Sequence, residues 1–157
     1  MLNVTRSILI SAPRERVSEY LRDVPRLADY EQKVDRCSVT YPDTDSALAE
    51  VSGRCFGLPW AGSFKLNYTR DGGYKVDMLG GPFRKGTGGF ELRTVAGGTR
   101  VQHQECYPLP IAFRVLRPIL RRWLARTMDL ELGVIKEESE RLHRRRIVAE
   151  VDRDVQF

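Results

Sequence analysis

The fold of this chain is decided by residues 111–146, which read IAFRVLRPILRRWLARTMDLELGVIKEESERLHRRR. Apolar residues recur there at helical spacing, and at about 100° per residue they fall within one sector of roughly 140°. The residues of this predicted apolar stripe are Leu116, Ile119, Leu120, Trp123, Leu124, Leu130, Val134 and Leu142. A helix of about 30 residues is roughly 45 Å long. The stripe therefore predicts a long C-terminal helix that another layer of structure must cover.

The covering layer is predicted by the segment between Val34 and Tyr107, where apolar and polar residues alternate with the period of β-strands. Asp71-Gly72-Gly73 is a strong hairpin signal within that segment. An alternating stretch from Leu2 to Ile10 predicts an earlier strand, and two short amphipathic patterns follow Pro13. We therefore expect an α+β fold, in which a curved antiparallel sheet of about seven strands wraps around a long C-terminal helix, with two short helices after the first strand.

The length of 157 residues predicts one domain. We place this domain at residues 1–147 and treat residues 148–157 as a C-terminal tail, either a frayed end or a strand added to a sheet edge. No apolar run approaches the roughly 18 residues of a membrane span. The start Met-Leu-Asn-Val-Thr-Arg has no secretory signal pattern. We expect a cytoplasmic protein.

Two stretches near the N-terminus resemble a known superfamily. They are SILISAPRERV at Ser7–Val17 and DVPRLADY at Asp23–Tyr30, and the turns at 57–60 (GLPW) and 80–82 (GGP) agree with them. Together they resemble the START-like, polyketide cyclase and dehydrase superfamily, also called SRPBCC. The resemblance implies a helix-grip fold around a deep cavity. The superfamily includes lipid carriers, coenzyme Q-binding proteins, aromatic polyketide cyclases and ribosome-associated toxins.

A cavity between the sheet and the C-terminal helix would bind a hydrophobic small molecule, such as a lipid, an isoprenoid quinone or a polyketide-like compound. The alternation of the strands and the apolar stripe of the helix predict the side chains that line it. They are Val51, Phe64, Tyr68, Met78, Phe90, Val101, His103, Tyr107 and Trp123. Binding without chemistry is the first hypothesis for the function of the chain.

His103 and Glu105 are the candidate catalytic residues. They are two residues apart on the last predicted strand, so their side chains project to the same face. A histidine and a carboxylate in an apolar cavity can provide the acid and base for an aromatic polyketide cyclase or dehydratase. Alternatively, the two side chains only satisfy each other, or Glu105 lies at the mouth of the cavity near solvent.

Five arginines occur within the first half of the predicted helix, outside its apolar stripe. They are Arg114, Arg117, Arg121, Arg122 and Arg126. The helix macrodipole disfavours cations at this end. The arginines form either a solvated face or a surface for an acidic partner, which would be an anionic membrane or RNA; the RNA alternative corresponds to a ribosome-associated interaction protein.

Metal and cofactor sites are not expected from the sequence. His103, His143, Cys37, Cys55 and Cys106 have no ligand spacing typical of a metal site, and reduced core thiols are the simplest interpretation of the cysteines. Neither a phosphate-binding loop nor a dinucleotide fingerprint is present. We therefore expect no metal and no cofactor.

Overall fold

A computed structural model describes residues 1–155, and its largest element is one antiparallel sheet of seven strands. The sheet has the order β1-β7-β6-β5-β4-β3-β2, so the N-terminal strand pairs with the last one. The strands are β1 (Leu2–Ile10), β2 (Arg36–Pro42), β3 (Ser46–Cys55), β4 (Leu58–Tyr68), β5 (Tyr74–Met78), β6 (Thr87–Val95) and β7 (Gly98–Tyr107). Each strand after β2 pairs with its predecessor in sequence, so β2 to β7 form an antiparallel meander.

Two short helices follow β1 and one long helix ends the fold. They are α1 (Arg14–Arg22), α2 (Leu27–Tyr30) and α3 (Arg117–Val155), with 3-10 turns at Val24–Arg26 and Ile111–Leu116. The predicted α+β helix-grip architecture is therefore confirmed. The α-helix begins at Arg117 rather than at Ile111. Pro118 explains this start, because its ring fits the first turn of a helix but clashes with the carbonyl four residues earlier.

Residues 148–155 continue α3, so the strand predicted as one alternative for the tail is wrong. The helix continues because no glycine or proline follows Gly133 to end it. The last two residues of the predicted tail, 156 and 157, lie outside the described residues. Within residues 1–155, no helix combines the length and the apolar character needed to cross a bilayer.

The buried face of α3 differs from the predicted apolar stripe. Ile119 and Leu130 are 68% and 55% exposed. The residues that are buried are Leu124, Thr127, Met128, Glu131, Leu132, Ile135 and Ser139. At 100° per residue, the centre of this face lies roughly 90° from the centre of the predicted stripe. The difference arises because the predicted stripe included apolar residues that the structure exposes and left out Met128, Leu132 and Ile135, which are buried together with three polar residues.

Candidate functional site

Five polar side chains meet in the interior of the protein, and we call them the buried polar cluster. They are Glu31, Lys33, His103, Glu105 and Glu131, with side-chain exposures between 0% and 11%. His103 and Glu105 lie on β7, Glu131 lies on α3, and the other two follow α2. The cluster therefore joins the sheet, the long helix and the loop after the short helices.

The ammonium of Lys33 lies among three carboxylates. Its Nζ is 2.5 Å from Oε1 of Glu31, 3.1 Å from Oε1 of Glu105 and 3.2 Å from Oε1 of Glu131. Burial alone lowers the pKa of Lys33, but the charges of Glu105 and Glu31 raise it, and the pKa lies well above its ordinary value. Lys33 is therefore a permanent positive charge at the centre of the cluster.

The main chain of Lys33 is held in place by β3 and β4. The Nε1 of Trp60 donates a hydrogen bond of 2.9 Å to the carbonyl oxygen of Lys33. Gly53 lies directly against the same carbonyl, and a Cβ at this position would be 2.0 Å from that oxygen. The close approach requires glycine, so the sequence of β3 determines where the Lys33 ammonium is presented.

His103 is packed by an aromatic ring and flanked by two carboxylates. Its ring stacks on Phe90 with centroids 4.1 Å apart and an interplanar angle of 15°. Its Nε2 is 3.5 Å from Oε1 of Glu105, and its Nδ1 is 3.4 Å from Oε2 of Glu131. Among residues 1–155, neither His103 Nδ1 nor Glu131 Oε2 has a hydrogen-bond partner. Buried polar atoms without partners are rare in native proteins and require an explanation.

The pKa values of His103 and Glu131 shift in opposite directions. Burial lowers the pKa of His103, although the charges of Glu105 and Glu31 oppose this effect. Burial and the neighbouring charge of Glu31 raise the pKa of Glu131 well above its ordinary value. The pKa of Glu31 is lowered, because the attraction of Lys33 and its other partners exceeds the effect of burial. The interior thus favours a neutral histidine beside a protonated Glu131.

Glu105 is fully engaged by its neighbours. Its Oε1 accepts a hydrogen bond from Lys33, and its Oε2 accepts a hydrogen bond of 2.6 Å from the hydroxyl of Tyr107. It is 2% exposed, so the alternative that it lies at a solvated mouth is wrong. His103 and Glu105 do share one face of β7, as the sequence predicted, but Glu105 is paired mainly with Lys33 and Tyr107.

Four of these side chains can bind a metal ion, which the sequence did not indicate. Donor atoms of Glu31, His103, Glu105 and Glu131 lie within 4.8 Å of one another. The ammonium of Lys33 already lies between the three carboxylates, where a divalent ion would have to bind. A metal could bind only after Lys33 had withdrawn. Lys33 therefore provides the positive charge that this set of carboxylates requires.

The side chains predicted to line a cavity belong to two apolar clusters. Val51, Phe64, Met78, Phe90 and Val101 are buried in the larger cluster, with Tyr68 packed against it. Trp123 packs against the smaller cluster, which consists of Leu2, Val4, Leu124 and Met128, and Tyr107 contacts both clusters.

Aromatic rings surround Tyr107 at the boundary between the two clusters. The rings of Phe83 and Tyr107 are 5.6 Å apart, and those of Trp60 and Phe83 are 4.8 Å apart. Phe56 covers Trp123 at a centroid distance of 4.4 Å. Trp123 is in the second turn of α3, so Phe56 and Trp123 pack together near the start of that helix.

A groove of about 490 Å³ lies against β5, β6 and β7. Its lining includes Lys75, Asp77, Glu91 and Gln104, whose side chains are exposed and point away from the core. Of the predicted cavity residues, only Phe90 contributes to it. This groove is therefore distinct from the cavity predicted between the sheet and the helix.

Sequence reasoning found two of the five cluster residues and missed Glu31, Lys33 and Glu131. A signal for Glu131 was available, since it follows Leu124 and Met128 and precedes Ile135 at spacings of four, three and four residues. Glu31 and Lys33 lie in a short loop without periodicity. Only the folded structure brings this loop against β7.

Comparisons with known proteins support the fold. Residues 1–140 match the family model described as polyketide cyclase/dehydrase and lipid transport. A protein from Thermus thermophilus has a similar structure, with a TM-score of 0.77, 19% identity and coverage of 87% of this chain and 96% of that one.

Two further solved structures share the fold. The aromatase/cyclase Zhui from Streptomyces sp. R1128 has a TM-score of 0.72 at 15% identity, covering 88% of this chain and 93% of its own. A START superfamily protein from Mycobacterium smegmatis has a TM-score of 0.72 at 13% identity, covering 89% of this chain and 98% of its own. No curated protein matches the sequence.

Proposed function

Because the chain belongs to the polyketide cyclase/dehydrase and lipid transport family, we propose that it binds a hydrophobic small molecule with one polar end. The polar end reaches the buried polar cluster, and the apolar body lies between the sheet and α3. A lipid, an isoprenoid quinone or a polyketide-like compound has this chemistry. The proposed entry route of the ligand passes the rings of Phe56, Trp123 and Tyr107.

One observation carries this proposal. His103 Nδ1 and Glu131 Oε2 lack hydrogen-bond partners among residues 1–155 and are 3.4 Å apart within the buried polar cluster. A hydroxyl or carbonyl oxygen of a ligand can satisfy both groups, because a neutral histidine and a protonated carboxyl each offer a donor or an acceptor. The stacking of His103 on Phe90 fixes the direction in which the ring nitrogens point.

The test is native mass spectrometry of protein purified without delipidation, followed by measurement of affinity for the compound that is retained. His103→Gln should weaken binding by about 0.5–1.5 kcal/mol, the contribution of one hydrogen bond. His143→Gln is the matched control, since His143 is distant from the cluster in sequence and lies near the C-terminal end of α3. A protein that retains no small molecule and binds none of these three compound classes would contradict the proposal.

A second candidate function is an aromatic polyketide cyclase or dehydratase. The opposite pKa shifts of His103 and Glu131 favour it, because a neutral base beside a neutral acid suits proton abstraction from a β-ketone. His103 would remove a proton from the carbon between two carbonyls while Glu131 donates its proton to the enolate oxygen. Glu105, the acid suggested by the sequence, is instead engaged by Lys33 and Tyr107.

The carrier and the enzyme are distinguished by turnover of poly-β-ketone compounds. In an enzyme, His103→Gln or Glu131→Gln lowers turnover by roughly 10²–10⁴-fold with little change in affinity. In a carrier, the wild type binds the compounds and converts none of them. Conversion that survives both substitutions would exclude His103 and Glu131 as the acid and base.

A further inference from the structure

An exposed apolar surface surrounds the start of α3. All six residues of the 3-10 turn Ile111–Leu116 are exposed, although four of them are large apolar residues. The exposed apolar side chains are Phe56 (64%), Leu58 (71%), Ile111 (78%), Phe113 (48%), Val115 (83%), Leu116 (41%) and Ile119 (68%). Contiguous exposed apolar surface of this kind marks a site of interaction.

A contact between Phe56 and Trp123 brings the two parts of the chain together. Phe56 belongs to the turn between β3 and β4, and its ring packs on Trp123 in the second turn of α3, with centroids 4.4 Å apart. The 3-10 turn leads directly into α3 through a hydrogen bond from the amide of Arg117 to the carbonyl of Arg114. We call the seven exposed apolar residues and the arginines between them the docking patch.

The charge of the docking patch is entirely positive. No aspartate or glutamate occurs between Glu105 and Asp129. The five arginines of this stretch are exposed, and none lies within 4.0 Å of a carboxylate oxygen in residues 1–155; they are Arg114, Arg117, Arg121, Arg122 and Arg126. The N-terminus of α3 adds the positive end of its macrodipole at Arg117.

We propose that the docking patch binds the surface of an anionic lipid bilayer. Ile111, Phe113 and Val115 enter the boundary between head groups and acyl chains, and the arginines contact lipid phosphates. RNA would explain the arginines but not the exposed aliphatic side chains beside them. A bilayer is complementary to both, because it combines an anionic surface with an apolar interior. Apart from Phe56, which also borders the proposed entry route of the ligand, the proposal uses other residues than the proposed function, and it does not depend on a ligand in the cluster.

The experiment is co-sedimentation of the full chain with phosphatidylcholine vesicles and with vesicles that also contain phosphatidylglycerol. The wild type should bind the anionic vesicles only, and raising the salt from about 0.05 M to about 0.5 M should weaken binding because charges become screened. The triple variant Arg117→Glu, Arg121→Glu, Arg122→Glu should bind at least on the order of 10²-fold more weakly, at about fivefold per arginine removed. Ile111→Ser, Phe113→Ser, Val115→Ser should lose binding as well.

Matched controls come from the other end of α3. Arg144→Glu, Arg145→Glu, Arg153→Glu makes the same change in charge, and Val148→Ser, Val151→Ser, Val155→Ser removes three similarly exposed side chains. Both controls should bind like the wild type, and circular dichroism should be unchanged in all four variants. Absence of binding to anionic vesicles at low salt would overturn the proposal. Equal losses of vesicle binding in the control variants would also overturn it. So would a protein that binds RNA but no vesicles and whose RNA binding is unchanged by the three serine substitutions.

Discussion

Lys33 is the residue on which the other members of the buried polar cluster depend. Its ammonium is within 3.2 Å of carboxylate oxygens from Glu31, Glu105 and Glu131, and its side chain is 7% exposed. A buried ion pair contributes little net stability, because desolvation of the charges offsets their attraction. Removal of one partner is far more costly, since the remaining charges stay buried without compensation.

Lys33→Met should therefore lower the free energy of unfolding by about 3–5 kcal/mol at neutral pH. This loss of stability should become smaller as the pH falls toward about 5, because the carboxylates left without Lys33 take up protons in the folded state. Urea denaturation at several pH values measures both effects. Lys65→Met, a change of the same kind on the exposed face of β4, should stay within about 0.5 kcal/mol of the wild type. Equal effects of the two substitutions would contradict the central role of Lys33.

Glu131 should make the stability of the protein fall as the pH rises. Its pKa is raised in the folded state above the ordinary value of 4.5, so the folded protein holds a proton that the unfolded chain has lost. The stabilisation is complete below about pH 4.5 and is lost progressively above it. His103 has the opposite effect, because its lowered pKa removes stability as the pH falls below about 6.5.

Glu131→Gln tests whether Glu131 lowers the stability of the protein as the pH rises, because glutamine imitates the protonated carboxyl and does not titrate. The stability of the variant relative to the wild type should increase as the pH rises above about 4.5. Urea midpoints collected at pH intervals provide the difference. Glu137→Gln, an exposed position on the same helix, should show no such trend. A difference that is constant with pH would mean that the pKa of Glu131 is the same in both states.

At the scale of the element, α3 shows which part of the fold can be read from a sequence. Apolar periodicity correctly predicted a long C-terminal helix and an alternating sheet to cover it, because both patterns depend on the many residues that are buried for their hydrophobicity. The rotation of the helix was predicted wrongly, because the stripe included the exposed Ile119 and Leu130 and left out Met128, Leu132 and Ile135. Its buried face is centred near Glu131, whose burial depends on Lys33 from a loop that is distant in sequence.

Gly133 lies inside α3, where glycine lowers the stability of a helix, and the structure has room for a larger side chain there. A Cβ added there has no heavy atom within 4 Å. Gly133→Ala should raise the free energy of unfolding by about 0.8–1.0 kcal/mol, since alanine loses less backbone entropy in a helix. The melting temperature should increase by roughly 2–4 °C in a chain of this size. A decrease would show that the helix needs glycine at this position.

Gly53→Ala provides the opposite case in β3. Its Cβ would lie 2.0 Å from the carbonyl oxygen of Lys33, so the loop carrying Lys33 must move. We expect destabilisation of at least about 1–3 kcal/mol, the range for overpacked sites. The same melting experiment measures it. A neutral result would indicate that the loop adjusts without disturbing the carboxylates around Lys33.

At the scale of the whole molecule, the fold is closed by contacts between its distant ends. Leu2 pairs with Tyr107 in the sheet, and Arg6 on β1 forms two hydrogen bonds of 2.7 and 2.8 Å with Asp129 on α3. The alternating pattern predicted the antiparallel sheet of about seven strands, and Asp71-Gly72-Gly73 predicted the hairpin between β4 and β5. The pairing of β1 with β7 has no local signal and emerges only in the complete fold.

This closure should make folding slow. Pairings across about 100 residues require loop-closure entropy to be lost before they stabilise the chain, so refolding should take milliseconds to seconds rather than microseconds. Stopped-flow fluorescence after dilution from urea measures the rate, since Trp60 becomes buried on folding. Arg6→Ala should change the equilibrium stability by no more than about 1 kcal/mol, because the pair with Asp129 is half-exposed. Refolding within microseconds would mean that local contacts dominate the folding barrier.

The charge balance inside the protein also constrains its evolution. Glu31 and Lys33 lie in one loop and Glu131 lies 98 residues after Lys33, yet the charge of Lys33 compensates both carboxylates. A descendant that exchanged only one of them would inherit an unstable interior. Such a lineage would have to pass through a second, compensating substitution before the first could persist. We therefore expect related sequences to retain these three residues together or to replace them together, so that substitutions at positions distant in sequence are correlated.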